Sequence, residues 1–238
     1  MKDLLDVHMH TIASGHAYST VREMITMAKA RGLALVGLSE HGPAMEGTCD
    51  PIYFCNFKVI KAQDWGIDVV MGVELNVIDY AGSTDLSAQL LARLDYAIAS
   101  LHDIVIDPGS VEQNTNALIG AMRNPRVNII GHPDNPHYPV DFDALAKAAK
   151  EQHVLLEINN SSYKPNASRP GSWDCGVQLL AACKKYGTEV ICGSDAHIDG
   201  DVGTHAYSWK LIEACGFPEE LVVNTSVERF RSYMDAKK

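Results

Sequence analysis

The stretch that decides the fold is residues 4–10, Leu-Leu-Asp-Val-His-Met-His, a short apolar run that ends in two histidines. Such a run predicts a buried strand, and the alternation of side chains places His8 and His10 on the same side of it. Residues 33–42, Leu-Ala-Leu-Val-Gly-Leu-Ser-Glu-His-Gly, repeat the pattern with an acidic residue and a histidine at the end. Strands that end in metal-ligand types of side chain are therefore the recurring unit of this chain.

Seven predicted strands alternate with amphipathic helical segments. The first helix has the clearest signal, because Thr20 and Glu23 predict a capping box and apolar residues keep helical spacing up to Gly32. The predicted strands are Leu4–Val7, Leu33–Leu38, Asp68–Val73, Tyr96–Ser100, Val127–Ile130, Val154–Ile158 and Glu189–Cys192. The later helices are predicted at Phe54–Gln63, Gln113–Arg123, Asp141–Lys150, Val177–Tyr186, His205–Cys215 and Ser226–Met234. The alternation predicts an α/β protein with a parallel sheet, either open and doubly wound or closed into a barrel.

Length and composition favour one globular domain over residues 1–238, with 46% apolar and 21% charged residues. A chain of this length needs no disulfide or structural metal to fold. The net charge of −10, without a cluster of Lys and Arg, makes a nucleic-acid partner an unfavoured expectation. No strand is followed by a G-x-G-x-x-G motif or a P-loop, which disfavours a nucleotide-binding fold.

The six cysteines include no C-x-x-C pair, which disfavours a zinc ribbon and a thioredoxin-type site. The first residues, Met-Lys-Asp-Leu-Leu-Asp, lack the apolar core of a signal peptide, and no apolar run is long enough to span a membrane. We therefore expect a cytoplasmic protein with reduced thiols and no membrane association. The sequence leaves the oligomeric state open, a homo-oligomer included.

Ligand-type side chains follow the predicted ends of six strands. The carboxyl ends of parallel barrel strands meet on one face, so these side chains should converge on one site. A mixture of imidazole and carboxylate suits zinc, iron or manganese better than calcium or magnesium. The residues concerned are His8, His10, His41, Glu74, His102, His132, Asp195 and His197, with His16 in a loop that can fold back over the barrel mouth.

The other three histidines are expected to be structural. His153 lies between a helix and the next strand, at the end of the barrel opposite the site. His137 and His205 lie in loops on the mouth side, where a substrate contact is the alternative.

Seven motifs occur in order between Asp6 and His197. They are His8-x-His10-x5-His16, Ser39-Glu40-His41-Gly42, Gly72-Val73-Glu74, His102, Gly131-His132-Pro133, Glu157-Ile158-Asn159-Asn160 and Gly193-Ser194-Asp195-Ala196-His197. The ordered set resembles the motif series of the PHP (polymerase and histidinol phosphatase) family. Within it, the chain is most similar to the small bacterial YcdX-type phosphatases, which share the run 159–162 and the loop 168–172.

The resemblance implies a distorted (β/α)7 barrel with its metal site at the C-terminal ends of the strands. It also implies three metal ions, expected to be zinc, with manganese or iron as alternatives. Carried over residue by residue, the ligand sets are His8, His10, Glu74 and Asp195 for the first ion, Glu74, His102 and His132 for the second, and His16, His41 and His197 for the third.

The implied activity is hydrolysis of a phosphomonoester of a small metabolite. Ions with an open coordination position are typical of catalytic zinc, and a hydroxide that bridges the Glu74-linked pair is the expected nucleophile. Glu74, Asp195 and Arg169 are the predicted catalytic residues. Arg169 lies in the predicted active-site loop Ser161–Ser172, where its guanidinium can grip a phosphate.

Three further residues are candidates for supporting roles. Asp6 can orient a metal-bound histidine through the second ring nitrogen, as metal-bound imidazoles usually require. Asn160 and Tyr163 are weaker candidates for contact with the substrate. Specificity is expected in the loops Gly42–Asn56, Asp103–Glu112 and Ser161–Trp173, whose shapes the sequence does not predict.

Three other functions compete with a small-molecule phosphatase. A phosphodiesterase or nuclease of the PHP type is disfavoured by the acidic charge and by the lack of a polymerase region. A histidinol-phosphate phosphatase is an alternative, but no feature of the sequence selects histidinol. A non-enzymatic metal-binding protein would need closed coordination shells, which the mixed ligand set disfavours.

Overall fold

The computed structural model describes residues 3–61 and 64–236, and it contains seven parallel strands. They are β1 (Leu5–Asp6), β2 (Leu35–His41), β3 (Asp68–Asn76), β4 (Tyr96–Ser100), β5 (Ile129–Ile130), β6 (Leu155–Asn159) and β7 (Val190–Gly193). Each strand pairs with the next one along the chain, in the order β1-β2-β3-β4-β5-β6-β7. All seven predicted strands are therefore present.

Main-chain contacts between the first and last strands bend this sheet into a nearly closed barrel. The Asp195 amide donates to the His8 carbonyl at 2.9 Å, and the His10 amide donates to the Ala196 carbonyl at 2.8 Å. A parallel bridge joins Met9 to Ala196 between these bonds. The distorted (β/α)7 barrel is thus confirmed, and the open doubly wound sheet is excluded.

The helices are α1 (Val21–Ala30), α2 (Ala88–Leu91), α3 (Val111–Met122), α4 (Phe142–Gln152), α5 (Ser172–Tyr186), α6 (Ala206–Ala214) and α7 (Val227–Asp235). Helices α1 to α5 lie between successive strands, and α6 and α7 follow β7. The predicted capping box of Thr20 and Glu23 is present at the start of α1. Within the described residues, no helix is both long enough and apolar enough to cross a bilayer.

Two predicted helices differ from those observed. The segment predicted as Phe54–Gln63 is a 3-10 helix, Pro51–Val59, in which the buried Phe54 and Phe57 are spaced by the three residues of a 3-10 turn; Gln63 lies outside the described residues. Helix α5 begins at Ser172, five residues before the predicted start at Val177, because Gly171 at φ 93° turns the chain into the helix. The short α2 was not predicted.

The inside of the barrel is apolar at its lower end, where the strands begin. One buried cluster there contains Leu5, Val7, Leu35, Val70, Tyr96, Ile98, Ile129, Leu155 and Ile191, together with Phe230, Tyr233 and Met234 of α7. The Tyr96 hydroxyl donates to the Val7 carbonyl at 2.7 Å, so this ring crosses the interior. A Cβ atom on Gly72 would lie 2.5 Å from the Tyr96 ring, which explains the glycine in β3. Polar side chains begin only above this layer.

Candidate metal centre

Glu74 is the centre of the site. It lies inside β3 and is in register with His41 of β2, so both strands run further than their predicted ends. Its Oε2 atom is 2.8 Å from His41 Nδ1, 3.3 Å from His8 Nε2 and 3.4 Å from His10 Nε2. Three imidazoles, two from residues that follow β1 and one from β2, therefore face one carboxylate oxygen.

The second oxygen of Glu74 faces a different pair of histidines. Glu74 Oε1 is 3.2 Å from His102 Nε2 and 3.1 Å from His132 Nε2, and it accepts a hydrogen bond from Ser100 Oγ at 2.6 Å. Burial opposes ionisation of this carboxyl group, yet the surrounding histidines, His8 first, hold the pKa of Glu74 well below its usual range. The carboxylate is therefore ionised and presents one oxygen to each group of imidazoles.

Four buried atoms around Glu74 lack a hydrogen-bond partner within the described chain. They are His8 Nε2, His10 Nε2, His41 Nδ1 and Glu74 Oε2. Unsatisfied buried polar atoms are costly, so a native cluster of them needs an explanation such as a bound ion. Imidazole nitrogen and carboxylate oxygen are suitable ligands for a divalent transition metal. The residues present therefore fit a metal ion, and the potential ligand atoms of His8, His10 and Glu74 lie within 4.8 Å of one another.

His16 and His197 lie at the outer side of the cluster. Their Nε2 atoms are 3.0 Å apart, while their Nδ1 atoms contact the main-chain oxygens of Ser14 and Asp195, each at 3.0 Å. The ring of His41 stacks on His16 at 5.0 Å between centroids. The loop that carries His16 thus folds back over the mouth, and these three imidazoles adjoin one another.

All nine predicted ligands are brought together, but their grouping is more continuous than three separate sets. His41 lies within ligand distance both of Glu74 and His102 and of His10 and His197. Its assignment to the third ion alone, and the number of ions, therefore remain predictions.

Asp195 uses its two oxygens differently. Its Oδ1 faces His10 Nε2 at 3.4 Å, while its Oδ2 accepts hydrogen bonds from Arg169 and from Asn159 Nδ2, each at 3.2 Å. Burial opposes ionisation, yet His8, His10 and Arg169 hold the pKa of Asp195 well below its usual range. Its backbone has φ 53°, an uncommon value for a residue other than glycine, and such values are often found at functional sites.

Glu157 is a site residue to which the sequence analysis assigned no role. Its Oε1 is 2.6 Å from His8 Nδ1, and its Oε2 accepts from the His132 amide at 2.8 Å. Although burial disfavours the imidazolium, Glu157, Glu74 and Asp195 raise the pKa of His8 well above its usual value. The signal was present in the sequence, because Glu157 is an inward-facing carboxylate on β6, the one predicted strand without a predicted ligand.

The predicted orienting role of Asp6 is wrong. Its oxygens accept from the main-chain amides of Ser194 at 3.2 Å and Gly203 at 2.7 Å, and the imidazole that it faces is His205, at 3.4 Å. Glu157 occupies the place beside a ligand histidine that was expected for Asp6. Asp6 instead links β1 to the residues that follow β7.

The structure also decides the weaker candidates for substrate contact. Asn160 is buried, and its side-chain oxygen accepts from the amides of Tyr207 and Ser208 at the start of α6. The buried Tyr163 hydroxyl donates to Asp134. Neither residue is placed to contact a substrate, so both predictions are wrong.

Two of the three histidines predicted to be structural have that role. His153 ends α4 in a left-handed conformation and stacks on Tyr233 at 3.9 Å, far from the mouth. His205 is buried, with Nδ1 2.6 Å from Asp3, which excludes the substrate contact that was its alternative. His137 lines a cavity at the mouth, so its alternative as a substrate contact stays open.

Comparisons with known proteins agree with this geometry. The model of the PHP domain family matches residues 6–161. This chain belongs to the PHP family. A protein of Acetivibrio thermocellus named "Probable phosphatase" is 44% identical over 238 residues, which cover 100% of this chain and 98% of that protein. A protein of Caldicellulosiruptor saccharolyticus with the same name is 46% identical, and the matched residues cover 97% of this chain and 95% of that protein. These full-length similarities confirm the predicted class, a PHP-family phosphatase.

Solved structures share the fold at lower identity. Histidinol phosphate phosphatase from Lactococcus lactis, in complex with zinc, L-histidinol and phosphate, superposes with a TM-score of 0.63 at 20% identity, over 91% of this chain and 95% of that one. A chain of archaeal ribonuclease P with mature tRNA gives a TM-score of 0.58 at 15% identity, over 97% and 91%. At these identities the likeness concerns the fold.

The mouth of the PHP barrel has two adjoining cavities. We call the one of about 440 Å³ the cluster lobe; it is lined by His16, His41, Met45, His102, Asp103, Ile104, Ser161, Ser168, Arg169, Asp195 and His197. The side lobe, about 580 Å³, is lined by Leu101, His102, Asp103, His132, Asn135, Pro136, His137, Ser168, Arg169 and Pro170. The two lobes share His102, Asp103, Ser168 and Arg169, which form a neck between them.

Proposed function

We propose that this chain hydrolyses phosphomonoesters of small metabolites with divalent metal ions held by the nine-residue cluster. The observation that carries the proposal is the convergence at Glu74 of four buried nitrogen and oxygen atoms that lack a hydrogen-bond partner within the described residues. Zinc is the preferred ion and three per chain the expected number, with manganese or iron as alternatives. Such ions, when bound, lower the pKa of water and neutralise the oxygens of a phosphate.

Glu74 is proposed to connect two of the metal positions. Its two oxygens face separate groups of imidazoles, and Ser100 fixes the carboxylate by donating to Oε1. Glu157 and Asn159 on β6 hold His8 and Asp195 by hydrogen bonds, so that the atoms left free on these side chains point into the cluster. The chain thereby preorganises charge where a phosphate is to be bound.

Arg169 is proposed to bind the phosphate from the opposite side. It lines both lobes and is 3.2 Å from Asp195 Oδ2, with guanidinium N–H groups left for a substrate. Burial disfavours its charge, but Asp195, Glu74 and Glu157 raise the pKa of Arg169 above its usual value. The guanidinium is therefore a permanent cation at the neck between the lobes.

The net charge of −10 supports a small substrate over a nucleic acid, whose phosphates would be repelled unless a basic surface met them. Histidinol phosphate remains one member of the monoester class to be tested.

The test is phosphate release by metal-loaded protein from a panel of small phosphomonoesters, including histidinol phosphate and p-nitrophenyl phosphate. Bis-p-nitrophenyl phosphate and single-stranded DNA serve as diester substrates, and the metal content is counted in the same sample. We expect turnover of monoesters that a chelator removes and added metal restores. Turnover of the diesters alone would show that the protein is a phosphodiesterase and not a phosphomonoesterase. Metal binding without turnover of any substrate would favour a non-enzymatic metal protein.

A further inference from the structure

The two lobes of the mouth divide the predicted ligands unequally. Five of the nine line the cluster lobe, whereas His102 and His132 are those that line the side lobe. A phosphoryl group held by the cluster therefore lies in the cluster lobe. The rest of a bound ester must leave through the neck, and the side lobe is the adjoining space of suitable size.

The side lobe combines apolar walls with polar groups that have free bonding capacity. Leu101, Pro136 and Pro170 supply carbon surface. The Asp103 side chain is exposed, and within residues 3–61 and 64–236 its carboxylate makes no hydrogen bond and no ion pair. The ring of His137 contacts the Tyr138 ring at 5.3 Å between centroids, and its nitrogens are also without a hydrogen bond among the described residues.

The two charged side chains that line this lobe, Asp103 and Arg169, differ in their partners. Arg169 is the cation among its lining residues, and Asp195 Oδ2 lies 3.2 Å from the guanidinium. The charge of Asp103 has no comparable partner. A ligand in the side lobe thus meets a carboxylate that has no ion-pair partner among the described residues, beside hydrogen-bonding groups.

We propose that the side lobe binds the alcohol part of the phosphomonoester, and that Asp103 selects leaving groups that carry hydroxyl or ammonium groups over those that carry a second anion. This inference rests on the proposed phosphatase function and specifies its substrate class. Hydroxyl and ammonium groups donate hydrogen bonds to a carboxylate, whereas a substrate carboxylate is repelled by it. The carbon skeleton would pack on the apolar walls.

The experiment compares kcat/KM for three esters of similar size: glycerol 3-phosphate, O-phosphoethanolamine and 3-phosphoglycerate. We expect the wild-type protein to prefer the first two over 3-phosphoglycerate by about tenfold, the effect of one like charge at partly solvated distance. Asp103→Asn should reduce this preference by about five- to tenfold, mainly through faster turnover of 3-phosphoglycerate.

Asp107→Asn is the matched control, because Asp107 is an exposed residue of the same loop that lines neither lobe. It removes the same charge and should leave the preference unchanged. An equal shift in both variants would mean that general charge, not Asp103, sets the preference. Equal preference in the wild type and Asp103→Asn would also overturn the inference.

Turnover of p-nitrophenyl phosphate separates this inference from the function on which it rests. If metal-loaded protein does not hydrolyse that ester, the proposed function fails first. If it does, the inhibition constants of the three esters against this turnover give the same charge comparison even where the esters themselves react slowly. If the inhibition constants do not depend on the charge of the leaving group, the side-lobe assignment is wrong and the proposed phosphatase function still holds.

Discussion

The two ends of the barrel are built from the same strands but differ in chemistry. Inward-facing residues of β3 show this within one strand, where Val70 belongs to the apolar lower cluster, Gly72 adjoins the Tyr96 ring, and Glu74 is the centre of the site. At the lower end, Phe230 of α7 completes a closed apolar core. At the upper end, four buried polar atoms around Glu74 lack a hydrogen-bond partner within the described residues. The difference teaches that the lower end is packed as a core that supplies stability, while the upper end has the nitrogen and oxygen atoms that a metal site requires.

The largest expected effect is at the upper end. Glu74→Gln keeps the shape of the side chain but removes the charge between the two groups of imidazoles. We expect kcat/KM for p-nitrophenyl phosphate to fall at least about a thousandfold and metal content to drop, since electrostatic stabilisation in the site is lost. Circular dichroism should show an intact fold, and Glu112→Gln, an exposed change on α3, should retain activity. Normal turnover by Glu74→Gln would remove the basis for the site.

Phe230→Ala tests the packing of the lower end of the barrel. The ring is fully buried and lies 5.9 Å from the Tyr96 ring, so its removal leaves a cavity. The free energy of unfolding should fall by about 4 kcal/mol in denaturant titration. Metal content per folded molecule should not change. The control Ile52→Ala removes a side chain that is 72% exposed and should change stability by no more than about 0.5 kcal/mol. A loss of metal in folded Phe230→Ala would show that the two ends are coupled.

The seam between the first and last strands sharpens the comparison, because a histidine there is buried between two carboxylates and is not one of the predicted ligands. His205 lies between Asp3 and Asp6; burial disfavours its charge, but these carboxylates raise its pKa to about 10. A raised pKa in the folded state stabilises the protein fully below the unfolded value of 6.5, and the contribution is lost as the pH rises toward 10.

His205→Gln should therefore lower the free energy of unfolding by about 3 kcal/mol at pH 6, because Asp3 and Asp6 lose their partner. The difference from the wild type should shrink by more than half by about pH 9. Denaturation at both pH values, with metal held in constant excess, measures it, and His137→Gln is the matched control for an exposed histidine. A difference that is independent of pH would contradict a charged His205.

The smallest expected effect concerns β6, which orients predicted ligands of other strands. Glu157→Gln keeps a hydrogen bond to His8 or to the His132 amide but removes the charge. Metal affinity measured by competition with a chelator should weaken by about ten- to a hundredfold, the usual effect of losing a carboxylate behind a metal-bound histidine. Activity at saturating metal should recover in part. An affinity equal to that of Glu112→Gln would show that Glu157 has no such role.

Much of the fold was predictable from local patterns. Apolar runs gave the seven strands, and capping residues such as Thr20 gave the first helix start. The ends of β2 and β3 were misplaced because a polar residue at a strand end resembles a loop, although Glu74 and His41 continue the pairing. The pattern after Asp50 predicts a helix but not its 3-10 type, because the apolar spacings of the two helix types overlap over nine residues.

The sequence by itself determined the order of strands and helices and the set of residues that meet at the mouth. It could do so because parallel strands deliver their carboxyl ends to one face. Only the tertiary structure decided which carboxylate bonds to the second ring nitrogen of which imidazole. In the sequence, Asp6 and Glu157 are equally plausible as the carboxylate that orients a ligand histidine. A Cβ atom on residue 193 would collide with the Glu157 carboxylate, so the glycine there leaves Glu157 the space to reach His8. Such choices depend on side-chain packing between strands distant in sequence, which no local pattern records.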